Sequence, residues 1–152
     1  MVFIDTAKAY DPAQRRCDIV FDGTDLVLDD TAVTPVLLAV GLDRRAHADD
    51  ELPDTTEQGY APATLNARRG WAADAYDALG RLTGSRMWLL KRRKQDEPTR
   101  LLAESALQEA LEPLATERNW PISITVRWAY AQVLAYQVAV QRLTLSLHKA
   151  VG

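Results

Sequence analysis

The chain has 152 residues and a formal net charge of −3, with 47% hydrophobic and 26% charged residues. This composition favours one globular domain over residues 1–152 and lacks the basic excess of a dedicated nucleic-acid binder. No apolar run reaches the roughly 20 residues that cross a bilayer, and acidic Asp5 interrupts the apolar N-terminus. We therefore expect no membrane span and no export signal. The single cysteine, Cys17, excludes an internal disulfide, and with two histidines the chain has too few ligands for a structural zinc site.

Two short strands are predicted near the N-terminus, over residues 17–23 and 24–29. The dipeptide Asp22-Gly23 lies between two apolar runs, and glycine tolerates the positive φ of a tight hairpin turn. We therefore expect a β-hairpin whose two strands pair around this dipeptide.

A helix should follow the hairpin, because Thr34 can cap it and Pro35 suits its first turn. Its apolar residues continue to about Leu42. Residues 47–67 then form a polar, acidic stretch with two prolines and one glycine, which predicts a long loop. A loop of this length is either functional or ordered only against a partner.

Two further helices are predicted in the centre of the chain. Ser85 can cap the first of them, over residues 86–95. The second begins at Pro98 and has an apolar stripe with helical spacing, formed by Leu102, Ala103, Ala106, Leu107, Ala110, Leu111 and Leu114. Pro113 should kink or divide this helix, because proline lacks the amide hydrogen and clashes with the preceding turn.

The C-terminal third has the sequence pattern of antiparallel strands. Apolar and polar residues alternate over Ile122–Tyr130, which predicts a strand with one buried face. Residues 136–147 are also strand-like, but the apolar phase shifts between Val140 and Leu143, as a bulge or a strand break would cause. The predicted fold class is α+β, with an N-terminal β-hairpin, central helices and C-terminal antiparallel strands.

Acidic residues offer two candidate chemistries, and each has a simpler explanation. His47 precedes three acids over residues 49–51 that could hold a hard metal ion, but a solvated acidic loop is the favoured interpretation. Asp74 and Asp77 are spaced one helical turn apart, and a hydrolase would need one of two such carboxylates to have a raised pKa. Neighbouring exposed acids are common, so we predict no catalytic residue, no metal and no cofactor.

Aromatic and basic residues are concentrated between Arg68 and Arg93, which contains Trp71 and Trp88. Tryptophan and arginine dominate binding hot spots, so this stretch is typical of a protein-binding surface. Trp71 is as compatible with the core as with an interface. The basic run Lys91–Lys94 suits the end of a helix as a solvated face, and a contact with phosphates or an acidic partner is the alternative.

Three segments, taken in chain order, resemble a known family. Leu42–Ala46 resembles a Thr-Asp-x-Arg-Ala element, with leucine in place of threonine. Arg69–Asp74 resembles an Arg-Gly-Trp-Trp-Gly-Asp element, with alanines in place of the second tryptophan and the second glycine. Gly84–Leu90 matches a Gly-Ser-Arg-Leu-Trp-Leu-Leu element with one conservative change. These elements are those of the Mu-like prophage baseplate protein family, gene product forty-six, and the resemblance runs from about Cys17 to Leu147.

The family is similar in fold and role to the baseplate wedge protein of T-even phages, gene product twenty-five. The resemblance therefore implies a wedge-like and sheath-handshake-like fold in a structural component of a contractile tail. It places the protein in the tail baseplate of the virion, after assembly in the cytoplasm of the host bacterium. The implied partners are the larger wedge protein and the first ring of sheath subunits, with tail tube or hub proteins as further candidates; no membrane or nucleic-acid partner is expected.

The resemblance also implies how the partners are bound. Sheath assembly would start by strand addition, in which an exposed sheet edge exchanges main-chain hydrogen bonds with a neighbour. Ile122–Tyr130 and Tyr136–Leu147 are the candidate strands. Candidate interface residues come from the three matched segments: Asp43, Arg45, Arg69, Gly70, Trp71, Gly84, Ser85, Arg86 and Trp88. We expect a protein without enzymatic activity; the alternative is a lysozyme-like cell-wall hydrolase that acts through Asp74 and Asp77.

Overall fold

A computed structural model describes residues 5–11, 16–53 and 66–152 and confirms the predicted α+β class. In the described ranges, four short strands precede the first helix, and three longer strands follow the second. Two short 3₁₀ helices lie between the α-helices. The elements are β1 (Asp5–Thr6), β2 (Lys8–Asp11), β3 (Arg16–Ile19), β4 (Leu28–Asp29), α1 (Val33–Gly41), the 3₁₀ helices Ala72–Tyr76 and Arg86–Leu90, α2 (Glu97–Glu117), β5 (Ile122–Tyr130), β6 (Val133–Val140) and β7 (Leu143–Ala150). Within the described ranges, no helix is long and apolar enough to span a bilayer.

The predicted turn at Asp22-Gly23 is confirmed, but the predicted strand pairing is only partly correct. Gly23 has a φ of 99°, and the Asp22 carboxylate accepts hydrogen bonds from two amides of the turn. Phe21 and Leu26 form the one bridge directly across the turn. Further from it, β3 pairs with β2 and β4 pairs with β1. Backbone pairing that the sequence predicted between the two strands of the hairpin is therefore made instead with the preceding strands β1 and β2.

The N-terminal ribbon, residues 5–11 and 16–29, is held together at one junction by three main-chain hydrogen bonds. The Ala7 amide donates to the Val27 carbonyl (2.7 Å), the Val27 amide to Val20 (3.0 Å) and the Val20 amide to Ala7 (2.9 Å). Large apolar side chains of the ribbon are exposed, namely Ile19, Phe21, Leu26 and Leu28. Among residues whose burial is described, the hydrophobic core begins only at Ala32.

Helix α1 begins one residue before the predicted cap. Ala32 is at the N-cap position and makes no side-chain capping bond, so the prediction that Thr34 caps the helix is wrong. Thr34 lies inside the first turn, where it is 4% exposed and donates its hydroxyl to Asp29 (3.4 Å). Pro35 is in the same turn, where a missing amide hydrogen costs no helical bond. The end at Gly41 is one residue from the predicted end.

Helix α2 confirms the predicted start and apolar stripe but not a division at Pro113. The Asp96 carboxylate caps the helix by accepting the Thr99 amide (2.9 Å), and Pro98 lies in the first turn. Ala103, Ala106, Leu107, Ala110 and Leu111 are buried, whereas Leu102 is 46% exposed. The helix continues through Pro113 to Glu117. Packing of the continuous apolar stripe against the core outweighs the one hydrogen bond that proline removes.

The helix predicted over residues 86–95 is wrong in both length and cap. It is a 3₁₀ helix that ends at Leu90, and Ser85 makes no side-chain capping bond. Arg92 has a φ of 74°, a left-handed conformation in which a helix cannot continue. The long loop predicted over 47–67 lies largely outside the described residues, because the structure describes only 47–53 and 66–67 of it.

The C-terminal sheet has three antiparallel strands in the order β5-β6-β7. Strand β5 has the predicted bounds, and the phase shift after Val140 is a strand break at a two-residue turn, as one of the two predicted alternatives required. Gln132 and Gln141 adopt φ values of 58° and 54° in the two turns. A register shift precedes Tyr130, which is 73% exposed and does not join the buried face.

The core lies between one face of this sheet and the two α-helices. Val138 and Val140 of β6 and Leu107 of α2 are completely buried, and Val36 brings α1 into the same cluster. The opposite face of the sheet carries exposed serine, threonine and glutamine side chains. Burial of large aliphatic side chains from the sheet and from both α-helices supplies the main driving force for the fold.

Candidate protein-binding site

The first and third matched segments lie side by side and are joined by an isolated parallel β-bridge. The Arg44 amide donates to the Ser85 carbonyl (3.0 Å), and the Ser85 amide donates to the Leu42 carbonyl (2.8 Å). Ser85 is 2% exposed, and its hydroxyl donates to the Val40 carbonyl (2.9 Å). Asp43 is the bridge partner of Ser85. This serine therefore ties the end of α1 to the segment that leads into the second 3₁₀ helix.

Gly84 is required where these two segments meet. Its φ is 100°, and a Cβ atom would lie 2.5 Å from the Leu42 carbonyl oxygen and 2.9 Å from the Arg44 nitrogen. Both atoms belong to the backbone, so no side chain can move aside to make room. Only glycine combines this left-handed conformation with such a close approach.

Trp88 lies beneath the same segment and is 3% exposed. Its indole N–H donates to the Arg44 carbonyl (2.8 Å), and it packs with Ala46 and Leu52 in a second, smaller core cluster. The Arg69 guanidinium is 4.5 Å from the ring centroid and forms an ion pair with Asp43. A cation over a tryptophan face is attracted by the ring quadrupole.

The second matched segment completes the arrangement. The Ala46 amide donates to the Arg68 carbonyl (2.9 Å), and Gly70, with a φ of 116°, lies against Arg45. A Cβ atom on Gly70 would be 3.1 Å from the Cβ of Arg45, whose side chain is exposed. Parts of all three segments that carry the resemblance thus lie in contact with one another. We call this unit the motif cluster: residues 42–46, 68–71 and 84–90.

An ionic network connects the motif cluster to α2. The Arg86 guanidinium donates to Glu109 (2.8 Å) and to both carboxylate oxygens of Asp50 (2.9 and 3.0 Å). Glu109 also has Arg44 at 3.4 Å and His47 at 3.5 Å. Burial by itself would raise the pKa of Asp50, but hydrogen bonds from Arg86 and the His47 amide hold it below its usual value. Asp50 is thus committed to an ion pair, and no metal-binding group of side chains is found in the described part of the chain.

Trp71 differs from Trp88 in being 47% exposed. The segment that follows it exposes Tyr76 (90%) and Leu79 (74%), so three large apolar side chains face solvent between residues 71 and 79. We call this segment the apolar lip. Sequence reasoning identified Trp71 but missed Tyr76 and Leu79, since neither has the regular spacing that marks an amphipathic element.

Two acids hold the apolar lip in shape. Asp74 accepts the Thr83 amide (3.0 Å), and Asp77 accepts the amides of Leu79 and Arg81 (3.1 Å each). The Arg81 side chain also donates to Asp77 (2.7 Å) and to Glu117 at the end of α2 (2.6 Å). A segment whose backbone is already held in place loses less entropy on binding than a flexible one.

The C-terminal sheet supplies a second candidate surface, the outer edge of β7. The Val151 amide donates to the Gln132 carbonyl (2.7 Å), so its main-chain groups point toward the neighbouring strand. Main-chain groups alternate between the two sides of a strand. The N–H and C=O groups of Thr144, Ser146, His148 and Ala150 consequently point away from β6. Within the described ranges, no strand pairs with that side of β7.

Unlike the outer edge of β7, the outer edge of β5 is partly covered by other residues. The Arg100 guanidinium on α2 donates to the outward Val126 carbonyl (3.4 Å), and the Trp128 indole donates to the Asp96 carbonyl (3.3 Å). The register shift next to Tyr130 further interrupts this edge. A bulge and a covering helix both disfavour addition of another strand. The eight-residue β7 is therefore the more accessible edge of the sheet.

Comparison with known proteins identifies the family. A family model described as phage protein GP46 matches residues 32–146, well over half of the chain. The chain belongs to this family. Baseplate protein gp46 of Escherichia phage Mu is 41% identical over 101 residues, which cover 66% of this chain and 62% of the Mu protein. The chain thus spans less than two thirds of that relative's length. No solved structure matches it.

The family match confirms the resemblance that the three segments predicted. Nothing in it tests the assignment of individual residues to a partner interface, which stays a prediction. The structure brings all nine candidates into or beside the motif cluster: Asp43, Arg45, Arg69, Gly70, Trp71, Gly84, Ser85, Arg86 and Trp88. Trp71 and Arg45 are the exposed members, whereas Gly84, Ser85 and Trp88 are buried.

Asp77 has the wrong electrostatics to be the general acid of the alternative hydrolase. Hydrogen bonds from the Arg81 side chain and from the Leu79 amide lower the pKa of Asp77 to about 2. A general acid for glycoside cleavage needs a raised pKa. Asp77 and Asp74 instead accept main-chain hydrogen bonds that shape the apolar lip.

The basic run Lys91–Lys94 is exposed and follows the second 3₁₀ helix. Arg92 donates to the Pro53 carbonyl (3.1 Å), and Arg93 pairs with Glu51 (3.2 Å). Two of its four cations thus connect to the loop after the first matched segment, and the run itself is exposed, consistent with the interpretation as a solvated face.

Proposed function

We propose that this chain is a structural baseplate protein of a Mu-like contractile phage tail that starts sheath assembly by strand addition at the outer edge of β7. Its membership of the GP46 family and its similarity to the Mu baseplate protein support the location. The observation that carries the mechanism is the eight-residue outer edge of β7, with which none of the described strands pairs. In the virion the chain acts in the tail baseplate and needs no cofactor and no catalytic residue.

Strand addition explains why such an edge is present. Unpaired N–H and C=O groups along an edge strand promote unwanted pairing, and proteins usually protect such edges with charges, prolines or bulges. β7 has no proline and no acidic residue, and its only ordinarily charged residue is Lys149 near the far end. An extended segment of a sheath subunit would continue the sheet and pair with Thr144, Ser146, His148 and Ala150.

The apolar lip is the proposed contact for the larger wedge protein. Trp71, Tyr76 and Leu79 are exposed together on a segment that Asp74 and Asp77 hold in place. Exposed aromatic side chains of this kind supply the central contacts of protein interfaces. The buried Trp88 contributes indirectly, because its hydrogen bond to Arg44 supports the neighbouring backbone.

The proposal is tested by blocking the β7 edge without disturbing the pairing with β6. Ser146→Pro removes an outward N–H, and proline is tolerated on an edge strand when its missing N–H faces solvent. The matched control is Ser146→Ala, which keeps the amide. The chain is co-expressed with the sheath protein encoded in the same tail gene cluster, and the complex is isolated and quantified. We expect Ser146→Pro to lower sheath capture by at least about tenfold while Ser146→Ala retains it.

Circular dichroism and thermal unfolding of both variants should show that the sheet remains intact. Equal sheath capture by Ser146→Pro and Ser146→Ala would overturn the assignment to this edge. A second proline at Thr144, another outward position, provides an independent repeat of the experiment.

A further inference from the structure

The edge of the hydrophobic core that lies along β7 is only partly covered. On β6, Leu134, Val138 and Val140 are completely buried. Their cross-strand neighbours on β7, namely Lys149, Leu145 and Leu143, are only partly buried, and so is Leu147 between Leu145 and Lys149. The three leucines pack against the main core from its edge. A further strand beside β7 would place its own side chains against this leucine row.

The two faces of β7 require different chemistry from such a strand. Thr144, Ser146 and His148 are exposed on the polar face, while the leucine row lies on the core face. Residues directly opposite each other on neighbouring strands have side chains on the same face, with Cβ atoms about 5 Å apart. An added strand therefore needs apolar side chains at alternate positions on the core face and polar ones between them.

Lys149 extends the leucine row at its far end and sets the charge requirement. Its side chain is partly buried, and no ion pair to it is found among the described residues. Its cross-strand neighbour, Leu134, is apolar and completely buried. A carboxylate on the core face of an added strand would form a charge-assisted hydrogen bond with this ammonium group.

We propose that the segment bound by β7 is an extended strand of about seven residues from a partner protein, with apolar residues alternating along the leucine row and an acidic residue beside Lys149. This inference rests on the proposed function and specifies the partner. The length follows from the outward groups, which run from residue 144 to residue 150. A second copy of β7 does not meet the requirement, because its sequence, Leu143–Ala150, contains no acidic residue.

The test uses fluorescently labelled nine-residue peptides of alternating valine and threonine. In each peptide one glutamate replaces either the first or the last valine. The two placements distinguish antiparallel from parallel addition. A control peptide has the same composition, with the valines and threonines in two separate blocks. Fluorescence anisotropy is measured with the full chain and with Ser146→Pro. We expect one alternating peptide to bind at least about tenfold more tightly than the block peptide, and Ser146→Pro to abolish this binding.

The charge requirement is tested by exchange. Lys149→Glu should weaken binding of the glutamate peptide by roughly five- to tenfold and strengthen binding of a matched lysine peptide by a similar factor. Absence of peptide binding, equal binding of alternating and block peptides, or no response to the charge exchange would each overturn the specified partner. A dimer of the chain alone in sedimentation, dissociated by Ser146→Pro, would also overturn it by showing that β7 pairs with a second copy.

These outcomes are independent of the sheath experiment. If Ser146→Pro prevents sheath capture but alternating and block peptides bind equally, β7 remains the proposed sheath-binding edge. The proposed sequence pattern of the bound strand is then wrong. If peptides bind as specified but Ser146→Pro leaves sheath capture unchanged, the proposed role of β7 in sheath assembly is wrong. The sequence preference of the β7 edge is then still supported.

Discussion

Trp71 and Trp88 come from neighbouring matched segments and have opposite environments. Trp88 is enclosed beneath residues 43–46 and donates its indole N–H to the Arg44 carbonyl, whereas almost half of Trp71 is exposed. One tryptophan supports the backbone of the motif cluster, and the other begins the apolar lip. A recognisable motif thus combines internal support with surface chemistry, and the burial of each side chain distinguishes the two roles.

The largest expected effect is that of Trp88→Ala. Removing a buried indole leaves a cavity and an unpaired Arg44 carbonyl, so the free energy of unfolding should fall by about 3–5 kcal/mol. Chemical denaturation monitored by far-ultraviolet circular dichroism measures it. Trp88→Phe, which loses the hydrogen bond but keeps most of the ring, should cost less. A loss below about 1 kcal/mol for the alanine variant would contradict the supporting role.

Gly84→Ala should have the next largest effect. Its Cβ would overlap the backbone of Leu42 and Arg44 in a left-handed conformation, so we expect a loss of about 2–3 kcal/mol in the free energy of unfolding. Gly80→Ala is the matched control, since Gly80 has a φ of 66° but nothing within 4 Å of the added atom. The difference between the two variants isolates the steric contact; equal losses would mean that conformation alone explains the cost.

Glu109→Gln tests whether the ionic network holds the motif cluster on α2. Losing the carboxylate charge weakens the pairing with Arg86 and Arg44, which are partly screened by solvent. We expect a loss of about 1–2 kcal/mol in the free energy of unfolding and faster amide exchange in residues 43–50. Glu104→Gln, on the same helix but paired with Arg100, is the control. It should leave exchange in residues 43–50 unchanged; a similar increase there would contradict a specific role for Glu109.

The smallest effect on stability is expected for Trp71→Ala. An exposed side chain outside both core clusters should change the free energy of unfolding by no more than about 0.5 kcal/mol. Its effect should appear in the proposed complex with the larger wedge protein, whose binding should weaken by about 2 kcal/mol if this ring is a hot spot. Isothermal titration calorimetry measures the affinity, with Leu28→Ala on the N-terminal ribbon as a control. An unchanged affinity would remove Trp71 from the interface.

The sequence predicted those parts of the fold that depend on local periodicity. Strand β5 and the buried stripe of α2 follow from alternation and helical spacing, because one face of each element meets the core. The turns of the C-terminal sheet could not be located in this way. Gln132 and Gln141 take left-handed conformations there without the glycine or asparagine that usually indicates such turns.

The motif cluster shows a different limit. Resemblance identified its three segments, but not that they contact one another, since Arg69 pairs with Asp43 and Trp88 bonds to Arg44 across long stretches of chain. Ser85 is a further example: a serine before a short helical segment is typical of a cap, yet its hydroxyl bonds to Val40. Whether such a serine caps a helix or bonds to a distant carbonyl depends on tertiary contacts. The local sequence pattern carries no information about those contacts.

The N-terminal ribbon has one further consequence. Its strands pair with one another, and in the described part of the chain neither hydrophobic cluster draws on a residue before Ala32. Substitutions at residues 18–29 of the ribbon consequently avoid the volume constraints that the interior imposes on α2 and β6. This part of the ribbon can therefore accept changes in side-chain size that would destabilise the body of the protein.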